Sequence, residues 1–220
     1  MQRTGKAIIL GASGLIGREL LNQLIRHVSY TEIIVLVRQA LDINHPKLKQ
    51  VIVDFDNFQE EQHFVQADAV FCCIGSTRKK TPDLAAYNKV DHDYPLFIAR
   101  IASQHGVPQF HLVSALGANP DSGNFYLRMK GKTEEDLKKN EFTTIHIYQP
   151  SLLDGERKES RPLEKVAIHF MRALNPVLVG SLKNYRSIKV SVIAAAMINN
   201  SLINSKGIFT HTSENIKKLA

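Results

Sequence analysis

A doubly wound α/β fold, one parallel sheet with helices on both faces, is predicted by three observations. Short apolar runs alternate with amphipathic helical runs along nearly the whole chain, the order that builds strand–helix–strand units. The runs at 7–10, 33–37 and 69–74 are apolar throughout rather than alternating, as strands buried on both faces are. The first run opens directly into Gly11, Gly14 and Gly17, and an amphipathic helix over 15–27 follows. Strand, glycine turn and helix in that order suit a dinucleotide: the first glycine permits the turn, the second lets backbone approach the pyrophosphate, and the third lets helix and strand pack closely. The helix N-terminus then offers unpaired N–H groups to phosphate.

The chain of 220 residues fits a single domain over 1–220, with a helical appendage over roughly 152–206 covering the substrate side. Hydrophobic content of 44% with 22% charged residues excludes a disordered or fibrous class. The adjacent Cys72 and Cys73 point to opposite faces of a strand, so they read as small core residues and not as a disulfide or a metal site. No metal ligand set is expected. The first five residues are polar, no secretory leader is read, and no apolar stretch is long enough to cross a bilayer, so a cytoplasmic location without membrane association is expected. The net charge of +7 favours anionic partners. The basic residues are dispersed, the densest group being Arg78, Lys79 and Lys80, and no nucleic-acid-binding motif accompanies them. Nucleic-acid binding is therefore not expected as the main role. The oligomeric state stays open, a homodimer included.

Each element carries a reason. The second strand, 32–37, ends at Arg38, where an NAD-binding fold places an acid for the ribose 2′-hydroxyl; an arginine suits the 2′-phosphate of NADP, or is a surface arginine at a strand end. A short strand over 50–53 ends in Asp54, which could accept from the adenine amino group or cap a helix. After the central strand 69–74, Gly75 would let backbone come close to a cofactor. The run 82–104 reads as one helix whose first half, with Tyr87, Asp91, His92, Asp93 and Tyr94, is mostly a solvated face. The fifth strand, 110–113, ends at Ser114. A loop rich in turn residues leads to a helix over 124–139 capped by Asn124, with Tyr126 and Lys130 on one face. A sixth strand over 143–148 precedes Gln149, Pro150 and Ser151. Helices over 163–174 and 190–203, a short strand over 207–210 and a closing helix capped by Ser213 complete the chain.

Tyr-x-x-x-Lys gains meaning from context: it falls on the helix after the fifth strand, and Ser114 ends that strand twelve residues before Tyr126. Here the sequence resembles the short-chain dehydrogenase/reductase superfamily of Rossmann-fold enzymes. Its wording is closer to an atypical branch, the Tat-interacting-protein-like NADPH-binding proteins and their bacterial oxidoreductase relatives, through FCCIGSTR, KVDHDY, HLVSALGAN, NFYLRMKGK, ESRP and AAAMINNSL. The resemblance implies a cofactor, NADP(H), held by Gly11, Ser13, Gly14, Leu15, Ile16, Gly17, Arg38, Asp54, Gly75, Lys130, Pro150 and Ser151. It implies a catalytic set of Ser114, Tyr126 and Lys130 reducing a small carbonyl compound. Tyr126 would give the proton, Lys130 would bring the phenol toward working pH and hold the nicotinamide ribose, and Ser114 would hydrogen-bond the carbonyl oxygen. Asp91 stands where the family often has Asn, and Gln149 where the nucleotide-sugar branch has Arg; both depart from an epimerase. Some members of the branch keep the cofactor and lose catalysis, so an NADPH-sensing interaction protein is the alternative expectation.

Overall fold

The computed structural model describes residues 5–56, 66–76, 81–155 and 180–220. Seven strands form one sheet in the order β3-β2-β1-β4-β5-β6-β9, every neighbouring pair parallel. They are β1 (Gly5–Leu10), β2 (Tyr30–Val37), β3 (Leu48–Ile52), β4 (Ala69–Cys72), β5 (Gln109–Val113), β6 (Thr144–Gln149) and β9 (Gly207–Thr212). A two-stranded pair, β7 (Leu153–Asp154) with β8 (Ile188–Lys189), stands apart. The inner strands β4 and β5 are buried along their whole length, which is why their sequences do not alternate, whereas β3 and β9 at the edges are largely accessible.

Helices cover both faces. The helix α1 (Leu15–Arg26) packs beside α5 (Val190–Leu202), and with α6 (Ser213–Leu219) they close one apolar cluster over Ile9, Val35 and Phe71. On the other face α3 (Tyr94–Gln104), with Leu137 of α4 (Phe125–Leu137), closes a second cluster over Ile8, Val70 and Phe110. The sheet is thus doubly wound, as expected. Of the segment expected as a substrate-side appendage, α5 lies in the helix layer against α1. The expected loop and helix between 156 and 174, the polar run 57–65 and the cluster Arg78, Lys79 and Lys80 lie outside the described residues.

Three local differences have physical causes. The expected single helix over 82–104 is α2 (Leu84–Asn88), a π-helical turn over Lys89–Asp93, and α3. A π turn winds more residues per turn than the α-helix on either side, so the faces shift across it. Asp91 and Tyr87, expected on the solvated face, are 1% and 2% exposed. Pro95, at the start of α3, brings no N–H to the Asp91 carbonyl one turn back, and Thr133 Oγ1 donates there instead at 3.0 Å. Ser213 does not cap α6; its hydroxyl accepts from the Ser151 N–H at 2.8 Å. Asn124 does cap α4, accepting from the N–H groups of Tyr126 and Leu127.

The cysteines are the core residues expected. Cys72 is buried in the second cluster while Cys73 packs against the first, and burial pushes the Cys72 thiol up to about 11.

Candidate active site

Because every strand of the main sheet runs parallel, the C-terminal ends of β1 to β6 lie along one edge. That edge carries Gly11, Arg38, Asp54, Gly75, Ser114, Pro150 and Ser151. The strand order reverses direction between β1 and β4, and ligands of such sheets bind at that crevice. Gly11 takes φ of 79°, and a Cβ there would come within 2.7 Å of the Cys73 backbone. A Cβ on Gly17 would lie 2.2 Å from the Gly11 carbonyl oxygen, so only glycine lets α1 start this close to the turn. Gly14, the N-cap of α1, offers no side-chain cap. The first-turn N–H groups of α1 are left for an anion, which is what a pyrophosphate needs. Ser13, Leu15 and Ile16 complete this turn, and Ile16 is buried beneath it.

Arg38 is exposed at the end of β2 and makes no ion pair among the described residues. Asp54, exposed at the end of β3, accepts from the Asp56 N–H at 3.0 Å. Beside it Asp56 pairs with Lys89 at 2.8 Å and accepts from the Tyr94 hydroxyl, whose ring stacks on Phe55.

The helix α4 brings the proposed catalytic side chains to this edge. Gly131 lets it approach the loop before it: a Cβ there would sit 2.2 Å from the Asn119 carbonyl carbon. Tyr126 is 39% exposed; Lys130, one turn on, is 5% exposed. The Lys130 ammonium meets Asp91 Oδ1 at 2.9 Å, and Asp91 Oδ2 accepts from the Ser76 N–H at 2.6 Å. A Cβ on Gly75 would lie 3.6 Å from Lys130 Nζ, so the loop after β4 and α4 meet at this ion pair. Burial alone would lower the ammonium; the Asp91 charge, helped by Tyr126, outweighs it and raises Lys130 above the ordinary lysine range.

A second polar contact holds α4 to β5 and β6. Ser114, 4% exposed, donates its hydroxyl proton to Glu134 Oε1, and Gln149 Nε2 donates to both Glu134 oxygens at 3.0 Å. Burial raises the Glu134 carboxyl above its ordinary range, against the hydrogen bonds from Ser114 and Gln149, which lower it. Pro150 is buried at the end of β6, its carbonyl accepting from the Leu116 N–H at 3.0 Å. Ser151 turns its hydroxyl to the Arg186 carbonyl.

Ser114, Lys130 and Gly75 therefore come together around α4, with Tyr126 on the same helix toward solvent. The sequence holds a second Tyr-x-x-x-Lys spacing, Tyr185 and Lys189, but these fall on a short 3₁₀ turn and on β8, which do not share a helical face. Sequence reasoning missed Glu134 and the inward turn of Asp91. The available signal was helical spacing: Glu134 stands four residues after Lys130, on the face already assigned to the site.

This glycine turn on a doubly wound parallel sheet, with an uncapped helix start at the switch point, defines a dinucleotide-binding protein. A family described as NAD(P)H-binding matches residues 11–169, and the chain belongs to it. Protein HTATIP2 of Rattus norvegicus is 32% identical over 196 residues, 87% of this chain and 79% of that protein. The mitochondrial protein fmp52 of Emericella nidulans is 32% identical over 201 residues, 88% and 86% of the two chains. Among solved structures, the UDP-N-acetylglucosamine 4-epimerase of Methanobrevibacter ruminantium superposes with a TM-score of 0.68 at 16% identity, over 96% of this chain and 77% of that one. The Bordetella bronchiseptica enzyme WbmH in complex with NAD+ superposes with a TM-score of 0.67 at 17% identity, over 98% and 79%. These two likenesses show the fold. The fungal relatives are named as mitochondrial proteins, whereas the cytoplasmic expectation rests on the polar first residues and the lack of a long apolar stretch. Among the described residues no helix is long and apolar enough to cross a membrane.

Proposed function

We propose that this chain is an NADPH-dependent oxidoreductase that reduces a small carbonyl compound, with Tyr126 as the general acid. The observation that carries this reading is the buried Lys130 ammonium, one helical turn from Tyr126 and facing Gly75, where a Cβ would lie 3.6 Å from it, at the nucleotide edge. A buried cation there has two uses: it stabilises the phenolate left when Tyr126 gives up its proton, and it can hold a ribose hydroxyl. NADPH, when bound, supplies the hydride. Gly11, Ser13, Gly14, Leu15, Ile16 and Gly17 would hold its pyrophosphate, Arg38 its 2′-phosphate and Asp54 its adenine. Gly75, Pro150 and Ser151 would border the nicotinamide half.

The test is a panel of small aldehydes and ketones assayed by loss of nicotinamide absorbance in the wild type and in Tyr126→Phe. The variant keeps the ring and loses the acidic hydroxyl. Turnover should fall by about 10²–10⁴-fold, with NADPH affinity nearly unchanged. Turnover that survives in Tyr126→Phe overturns the assignment.

One observation favours a second reading. Both Ser114 and Lys130 are already engaged, with Glu134 and Asp91. In an NADPH-sensing interaction protein those contacts would be the purpose of the residues. No carbonyl would turn over, and a protein partner would change affinity with NADPH occupancy.

A further inference from the structure

The Ser114 hydroxyl has one proton, and in this structure it goes to Glu134. A hydroxyl that donates to a carboxylate presents only lone pairs elsewhere. It cannot at the same time donate to a carbonyl oxygen, the role that reduction asks of it. Glu134 is 5% exposed, and its second oxygen stays occupied by Gln149 Nε2 in either protonation state, because that oxygen accepts in both. If Glu134 carries a proton on Oε1, the direction of the Ser114 hydrogen bond reverses and the serine proton is released toward the site.

We propose that Glu134 is a positioning residue that sets the direction of the Ser114 hydroxyl: ionised, it takes the serine proton and leaves lone pairs suited to a ligand hydroxyl; protonated, it donates to Oγ and frees Ser114 to donate to a ligand carbonyl. The inference rests on the reductase reading for its ligand, and on the Ser114–Glu134–Gln149 geometry for its mechanism. Among the described residues, the groups that act on Glu134 are Ser114 from β5, Gln149 from β6, and Lys138 and Glu135 from its own helix. Of these only Lys138 and Glu135 bear charge, and they oppose each other. Burial displaces the carboxyl upward, so its protonated form persists to higher pH than that of a free glutamate. The amide in Glu134→Gln keeps the donor of the protonated state at every pH and gives up the Gln149 bond to Oε1. Its oxygen accepts from Gln149 and its NH₂ donates to Ser114.

Two measurements test this. Infrared difference spectra of the NADP⁺-loaded protein, wild type against Glu134→Gln, follow the carboxylic acid band of Glu134 with pH. The midpoint should move upward in Ser114→Ala, because the anion loses a donor. An identical midpoint in Ser114→Ala overturns the proposal. In the carbonyl panel, the kcat/KM of the wild type should fall above that same midpoint, by about 10²-fold once the carboxylate is fully ionised, and Glu134→Gln should lack this limb. A Glu134→Gln enzyme slower at every pH but with the limb intact would make the residue structural and overturn the proposal. If no carbonyl turns over, the reductase reading fails, and the infrared titration still decides whether Glu134 and Ser114 share the proton.

Discussion

Asp91→Asn removes one charge from the most deeply buried ion pair described in the structure while keeping an oxygen for the Ser76 N–H. At 2.9 Å the attraction is about 6 kcal/mol for an effective dielectric constant of 20. Much of that offsets the cost of burying two ions, but removing one partner leaves the other uncompensated, at a cost of about 3–5 kcal/mol. Total stability of a domain is about 5–15 kcal/mol, so the variant should lose a large share of it and melt about 6–20 °C lower. Urea denaturation measures the loss, and its pH dependence identifies the cause. The folded Lys130 sits above the ordinary value of 10.5, so the wild-type contribution is complete below about pH 10.5 and declines as pH rises through the folded value. In the variant burial acts on the ammonium without Asp91 and lowers it. The unfolded chain then binds the extra proton, and stability rises toward pH 10.5. A loss below 1 kcal/mol with an unchanged alkaline profile would refute the assignment of a buried ion pair that fixes α4 to the strand edge.

Arg38→Asp should reduce or reverse the preference for NADPH over NADH, by about 10–100-fold for the loss of a charged hydrogen bond, as titration calorimetry reads directly; equal affinities in the wild type would remove the argument. His111, His146 and His211 stack across β5, β6 and β9, and burial lowers all three, His146 to about 4. Each binds its proton at lower pH in the folded chain than in the unfolded chain, which protonates near 6.5, so stability should fall as pH drops below about 6.5, His146 contributing up to about 1.4 kcal/mol per pH unit until its own value of about 4 is reached; urea midpoints that are flat over this range would contradict it. Gly131→Ala forces a Cβ onto the Asn119 backbone and should cost about 1–3 kcal/mol or more in a melting experiment, a normal melting point showing that α4 can shift away.

What was legible in the sequence is local. The glycine turn, the Asn124 cap and the serine at a strand end are each specified within a few residues by backbone geometry. What was not legible depends on partners far along the chain. Asp91 and Glu134 are charged residues in helical runs, and such residues usually face water. Lys130 and the Ser76 N–H for Asp91, and Ser114 and Gln149 for Glu134, make their burial tolerable. The inward turn of Asp91 further needed a π turn, which breaks the 3.6-residue count that assigns faces. The histidines of β5 and β6 alternate with apolar residues as a solvated strand face would, yet they are buried: His111 meets the Tyr148 hydroxyl, which accepts from Asn200 Nδ2 of α5, and His146 meets His211 of β9. The place of α5 in the sheet's own helix layer is a property of the packed chain, not of its spacing.

The proposed hydride transfer at the edge where Lys130 and Gly75 meet, with Tyr126 giving the proton, leaves a direct mark on the product. NADPH carrying deuterium on the transferring carbon, mixed with a carbonyl compound from the panel, tests it by the mass of the alcohol formed. One deuterium is expected on the former carbonyl carbon in the wild type, and its near absence with Tyr126→Phe at equal nucleotide occupancy. Nicotinamide oxidised without deuterium in the product, or equal labelling by Tyr126→Phe, would contradict it.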